Sequence, residues 1–193
     1  MLATKEIVMV ALGKERAIKA KVRVRGHVIK KLFEWGYMAG HAYMMELKRD
    51  FERAPIAKGT LKVLGKLVWH LLSRVDPEVK VEERKTEEGR IYVLRVRGTG
   101  PSLDEEERKG VAYYLAGAYE GLGNTYTVIA SDGRWKVYAR PVCSGSLGDS
   151  RVELVHIYAP TCVSEGEIAD SFPGLFDELP VEYSDKLYAK ILG

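Results

Sequence analysis

Two stretches of this chain place glycines at helical spacing among large apolar side chains, and that pattern constrains the fold more than any other feature. From about Gly26 to Phe51, apolar residues recur at Val28, Ile29, Leu32, Phe33, Tyr37, Met44 and Phe51, mostly in steps of three and four, with Gly36 and Gly40 on the same stripe. A second segment carries Val111, Tyr114, Leu115, Ala118 and Leu122, with Gly110, Gly117 and Gly121 along one side. A glycine inside a helix costs about 1 kcal/mol relative to alanine, so something must gain from each missing side chain. Close backbone packing is the ordinary gain. Room left beside large rings for an apolar guest is the other.

The remaining elements follow from period and punctuation. Pro55 ends the first helical pattern, and a second helix is expected over Gly59–Val75, closed by Asp76-Pro77. The period then shortens: Val79–Arg84, a turn at Glu87-Glu88-Gly89 and Ile91–Arg97 read as a hairpin. Ser102-Leu103-Asp104-Glu105 is a capping box for the glycine-rich helix, which is expected to end near Gly121–Gly123. Thr125–Ser131, Asp132-Gly133 and Arg134–Val142 read as a second hairpin, followed by a strand at Val152–Tyr158 and short helices in the tail, with Ser164 and Glu167 as a further capping box. The order of elements predicts an α+β fold, an antiparallel sheet of four to five strands packed against long helices in a single domain.

Composition narrows the function classes. The 193 residues are 46% hydrophobic, which supplies a core, and no apolar run reaches the ~18 residues of a membrane span, so a cytoplasmic protein is expected. The chain has no Gln and a single Asn, Asn124, against abundant Lys, Arg and Glu, a balance expected of a thermophile. In such a cell Cys143 and Cys162 either pair or stay free. Charge is segregated. Lys14–Lys31 is strongly basic, whereas the stretch between Arg151 and Lys186 has no Lys or Arg and carries Glu165, Glu167, Asp170, Asp177, Glu178, Glu182 and Asp185. A basic arm can bind a phosphate backbone, yet with an acidic counterpart present, pairing within the chain or across a dimer is favoured over nucleic acid.

No phosphate loop, dinucleotide fingerprint, His-Glu-x-x-His or nucleophile elbow occurs, which removes most support for an enzyme; no catalytic residue, metal site or cofactor is assigned. His27, His41, His70 and His156 lack a second ligand at useful spacing. Cys143, flanked by Arg140 and Arg151, would be a nucleophile if those cations lowered its pKa, and otherwise is a small residue at a strand end.

Gly36-Tyr37-Met38-Ala39-Gly40 on a long first helix, the helix–hairpin order, the glycine-rich helix and Cys143-x4-Gly148-Asp149-x-Arg151-Val152-Glu153 resemble the 4-vinyl-reductase-like domain family across about Gly26 to Tyr158. That family shares its fold with the small Golgi transport-particle subunits, and many members are stand-alone archaeal proteins. The resemblance implies an often dimeric domain that holds a small hydrophobic molecule. Its name suggests reduction, but no residues for binding a redox cofactor are found, so non-enzymatic binding or sensing is expected. It divides the chain into a basic arm (1–25), a ligand-binding domain (26–160) and an acidic helical extension (161–193). The zinc of the phenol-sensing members does not carry over, because Arg151 and Arg140 stand where a cysteine and a glutamate would be needed. The expected pocket lies between the two glycine-bearing helices and the sheet, lined by Tyr37, His41, Met44, Trp69, His70, Tyr114 and Ala118. The alternatives are a structural or dimerisation protein like the vesicle-tethering relatives, and a weak nucleic-acid binder acting through the basic arm.

Overall fold

In the computed structural model the described residues are 26–71, 75–99, 105–141 and 151–171. Helix α1 (Gly26–Glu46) leads through a short turn of helix, α2 (Lys48–Phe51), to α3 (Lys58–Leu67) and a 3-10 turn at Trp69–Leu71. Strands β1 (Glu78–Lys85) and β2 (Arg90–Thr99) form a hairpin, the long helix α4 (Glu105–Ser131) follows, then β3 (Trp135–Pro141), β4 (Arg151–Pro160) and α5 (Glu165–Ser171). The four strands make one antiparallel sheet in the order β1-β2-β4-β3. The α+β class is as expected, with four strands.

Register fixes two faces. Val79 lies opposite Val96, Leu94 opposite His156, and Ala139 opposite His156, so these residues share the face that carries α3 and α4, with α1 packed on α4. Leu61 and Leu64 of α3, with Phe33, Met44, Leu115, Tyr119 and Tyr126, fill the space above that face. The opposite face is covered at one end by α5, where Val163 and Ile168 pack on Ile91, Tyr138, Ile157 and Ala159. Ser164 caps α5 as its sequence predicts, its Oγ accepting the Glu167 N–H at 3.2 Å. The Ser102 cap, the basic arm, Cys143 and the tail beyond 171 lie outside the described residues.

Two elements differ from expectation. The helix expected over Gly59–Val75 ends at Leu67 and gives way to the 3-10 turn at Trp69–Leu71. Thr125–Ser131 is the last two turns of α4 rather than a strand, and the second hairpin does not exist. Two of its hydroxyls bond back within the helix: Thr125 Oγ1 donates to the Gly121 carbonyl at 2.7 Å, and Ser131 Oγ donates to that of Thr127 at 2.7 Å. Asp132 (φ 52°) and Gly133 (φ 71°) do take the left-handed conformation a tight turn needs, but they end a helix.

Candidate functional site

The two glycine faces meet each other. A methyl at Gly36 would overlap the Tyr114 carbonyl oxygen, and one at Gly40 that of Ala118; in return, Gly117 sits against the Phe33 carbonyl and Gly121 against that of Tyr37. Positions rise together along both helices, so α1 and α4 run parallel. Their backbones are closer than the ~8–10 Å at which helices bearing side chains pack. The room freed by these glycines is therefore taken by the neighbouring helix and not by a guest. Gly98 does the same for a ring: the Trp69 indole lies where its side chain would be.

The residues expected to line a pocket separate under this geometry. Tyr37, Met44, Trp69 and Ala118 are buried in the main core, and Tyr114 is buried on α4, its hydroxyl pKa raised by burial. His41 is half-buried with Nδ1 2.8 Å from Thr125 Oγ1. Because Thr125 Oγ1 already donates its proton to the Gly121 carbonyl, it accepts here, which places the proton of His41 on Nδ1. His70 stands apart: its side chain is 44% exposed and Nε2 is 3.1 Å from Asp76 Oδ1. Lys66 hydrogen-bonds the same carboxylate at 2.6 Å and lowers its pKa.

The polar residues that the sequence did not single out are the ones the fold buries. Along α4, Glu120, Asn124 and Thr127 face the free edge of β3. Asn124 Oδ1 accepts the Val137 N–H at 2.8 Å while its Nδ2 donates to the Val137 carbonyl at 3.0 Å, so one side-chain amide stands in for a neighbouring strand. Thr127 Oγ1 lies 3.0 Å from the Trp135 carbonyl, and Glu120 Oε2 accepts the Ala139 N–H at 2.9 Å. Arg140 Nη1 donates both to Glu120, at 2.6 Å, and to the Ala139 carbonyl, at 2.7 Å, with its guanidinium 5.2 Å from the centre of the Phe33 ring. The spacing 120, 124, 127 is one helix face, a polar stripe readable only once Thr125–Ser131 is known to be helical.

Among the described residues, the Trp69 Nε1 and both ring nitrogens of His156 are buried without a hydrogen-bond partner. His156 is fully buried on the interior strand β4 with its ring centre 4.1 Å from that of Tyr119, and burial pushes its pKa down to about 3. Tyr119 sits beside it, its hydroxyl donating to the Gly65 carbonyl at 2.8 Å and its pKa held well above the ordinary range by burial. Among the described residues no group of three or more His, Cys, Asp or Glu is placed to hold a metal, and no helix is long and apolar enough to cross a membrane. Cys162 is exposed, its thiol 3.5 Å from the Glu88 carbonyl oxygen.

The surface of α1 opposite the glycines departs from an ordinary solvated helix. Trp35, Met38 and Met45 are 44%, 49% and 47% exposed, and Ala42 lies between them, all within one narrow stripe at steps of three and four.

No protein-family model matches the chain, and no curated protein matches it. Eight chains of solved structures do. One is trafficking protein particle complex subunit 3 from Naegleria fowleri, determined covalently bound to palmitic acid; it is 12% identical, with a TM-score of 0.50, and the match covers 84% of this chain and 98% of that one. The likeness at that identity is one of fold, and it is the fold shared with transport-particle subunits that the family resemblance led us to expect.

Proposed function

We propose that this chain is a non-enzymatic assembly subunit that pairs with a second protein chain, in the first instance its own copy, through the outer stripe of α1. The observation that carries this reading is the exposure of Trp35, Met38 and Met45 on one face of a helix whose other face is locked to α4. Tryptophan and methionine are enriched at protein interfaces, and a helix fixed on one side presents them at no ordering cost to its backbone. The similarity in fold to a trafficking-particle subunit, a component of a larger complex, supports the same reading. Sedimentation velocity at micromolar concentration tests it. The wild-type chain sediments as a dimer, and Trp35→Asp with Met38→Asp sediments as a monomer with an unchanged urea midpoint. Removal of the Trp35 anchor alone weakens pairing about thirtyfold.

A second reading, binding of a small hydrophobic molecule, draws on the unpartnered nitrogens of Trp69 and His156 and on the palmitic acid carried by the similar subunit. A guest with a carbonyl or hydroxyl would satisfy one of those nitrogens while its apolar part lies among Tyr37, Met44, Tyr114 and Ala118, with His41 and His70 at greater distance from the core. Native mass spectrometry of the purified chain, repeated after incubation with palmitic acid, decides it: a stoichiometric adduct supports the reading and a bare mass in both samples removes it.

A further inference from the structure

The two edges of the sheet are finished differently. At β3 the outward backbone groups of Trp135, Val137 and Ala139 are met by Thr127, Asn124, Glu120 and Arg140. At β1 the phase of the ladder is set by the hairpin, where the Thr86 N–H donates to the Gly89 carbonyl at 2.7 Å. Alternating back from that pair, Arg84, Glu82, Lys80 and Glu78 bond inward to β2, and Val79, Val81, Glu83 and Lys85 turn their N–H and C=O groups outward. Among the described residues nothing hydrogen-bonds those outward groups. An open edge is a template for another strand, and proteins usually guard it with charge. The charges here are in self-complementary order.

We propose that the open edge of β1 pairs antiparallel with β1 of a second copy, Val81 opposite Val81 on a two-fold axis, continuing the sheet from one chain into the next. Outward groups meet only when odd-numbered residues lie opposite odd-numbered ones. With the axis at Val81, Glu78 falls opposite Arg84 and Lys80 opposite Glu82, and the symmetry doubles each pair. Moving the axis to Lys80 sets Lys80 against itself and Glu78 against Glu82. Moving it to Glu82 sets Glu82 against itself and Lys80 against Arg84. One register of the three attracts. These side chains lie on the sheet face away from α3, where Lys80 bridges Glu78 at 3.0 Å and Arg84 reaches Glu82 at 3.6 Å within their own strand; pairing adds cross-strand partners to both bridges. A single strand edge is a small contact, so the association is a weak one.

This surface is separate from the α1 stripe, and the test keeps them apart by working in the Trp35→Asp/Met38→Asp chain. Sedimentation equilibrium of that chain up to millimolar concentration is expected to show residual dimer. Lys80→Glu weakens it about tenfold, as does Glu82→Lys, because each turns two attractive pairs into like-charge ones. Combining Lys80→Glu with Glu82→Lys restores the pairs with their signs exchanged and restores the dimer. Val81→Pro, whose lost N–H points outward and serves no internal bond, abolishes association. Because the Val81 side chain also packs on the core, its urea midpoint falls, and Val81→Thr, which keeps the N–H, lowers the midpoint while leaving the association in place. A chain that stays monomeric at millimolar concentration, or a double reversal as weak as the single ones, overturns the proposal. A wild-type monomer at micromolar concentration would instead remove the α1 reading and leave this one to be judged by the same series.

Discussion

His156 shows what one buried side chain does to the pH response of the whole chain. Its pKa lies near 6.5 in an unfolded chain and is pushed down to about 3 by burial in the fold. Below pH 6.5 the unfolded chain binds a proton that the folded chain refuses, so stability falls as pH drops from 6.5 toward 3, at up to about 1.4 kcal/mol per pH unit. His156→Leu is predicted to flatten urea-unfolding stability over that window. At neutral pH it raises stability by roughly 1–3 kcal/mol by removing two unsatisfied nitrogens. The opposite sign would mean that something outside the core contacts holds the imidazole. Glu120 is the contrasting case, a buried carboxylate paired with a buried cation. Glu120→Ala strands the buried Arg140 guanidinium and the Ala139 N–H, and is predicted to cost about 3–5 kcal/mol in chemical denaturation.

At the scale of elements, helix propensity and helix contact pull in opposite directions at the four close-contact glycines. Gly117→Ala gains about 1 kcal/mol of propensity, yet its methyl meets the Phe33 carbonyl, a backbone atom that cannot swing away. The helices must part, so Gly36→Ala, Gly40→Ala, Gly117→Ala and Gly121→Ala are each predicted to destabilise by at least about 2 kcal/mol. Gly59→Ala, with nothing near its side-chain position on α3, should stabilise slightly. Thermal melts of the five variants check the contrast. The same residues mark how far sequence alone reaches. Glycines at spacing four announce that something approaches closely, but α1 against α4 and a small molecule against α1 leave identical traces in one strand of letters. The presence of the long helices, the first hairpin, β3 and β4 was legible because their periods are clear, whereas the far ends of α3 and α4 were misplaced. Thr125–Ser131 was not, because β-branched residues and an Asp-Gly pair are the local signature of a hairpin. The reasons it is helical, an Asn124 amide and a Thr127 hydroxyl serving the edge of β3, are contacts between segments that the local pattern does not contain.

Among the described residues, the sheet is sealed along β3, covered on one face by α3 and α4 with α1 packed on α4, and partly covered on the other by α5, while the α1 stripe and the β1 edge are left uncovered. Two different two-fold contacts on one chain generate a closed tetramer or an open chain of dimers. The wild-type protein is accordingly predicted to grow beyond a dimer as concentration rises into the millimolar range, whereas either Trp35→Asp/Met38→Asp or Val81→Pro alone stops at dimers. Tyr37, Met44, Trp69 and Ala118, expected to line a pocket, lie in the main core, and the outward face of Trp35 and Met38 was not legible, since an apolar residue in a helix pattern carries no mark of which side its neighbours will occupy. The most direct measurement of the central claim is the molar mass of the wild-type chain by light scattering at micromolar concentration. The account predicts twice the mass of one chain, falling to a single chain when Trp35 and Met38 are replaced by aspartate. A wild-type protein with the mass of one chain would contradict it.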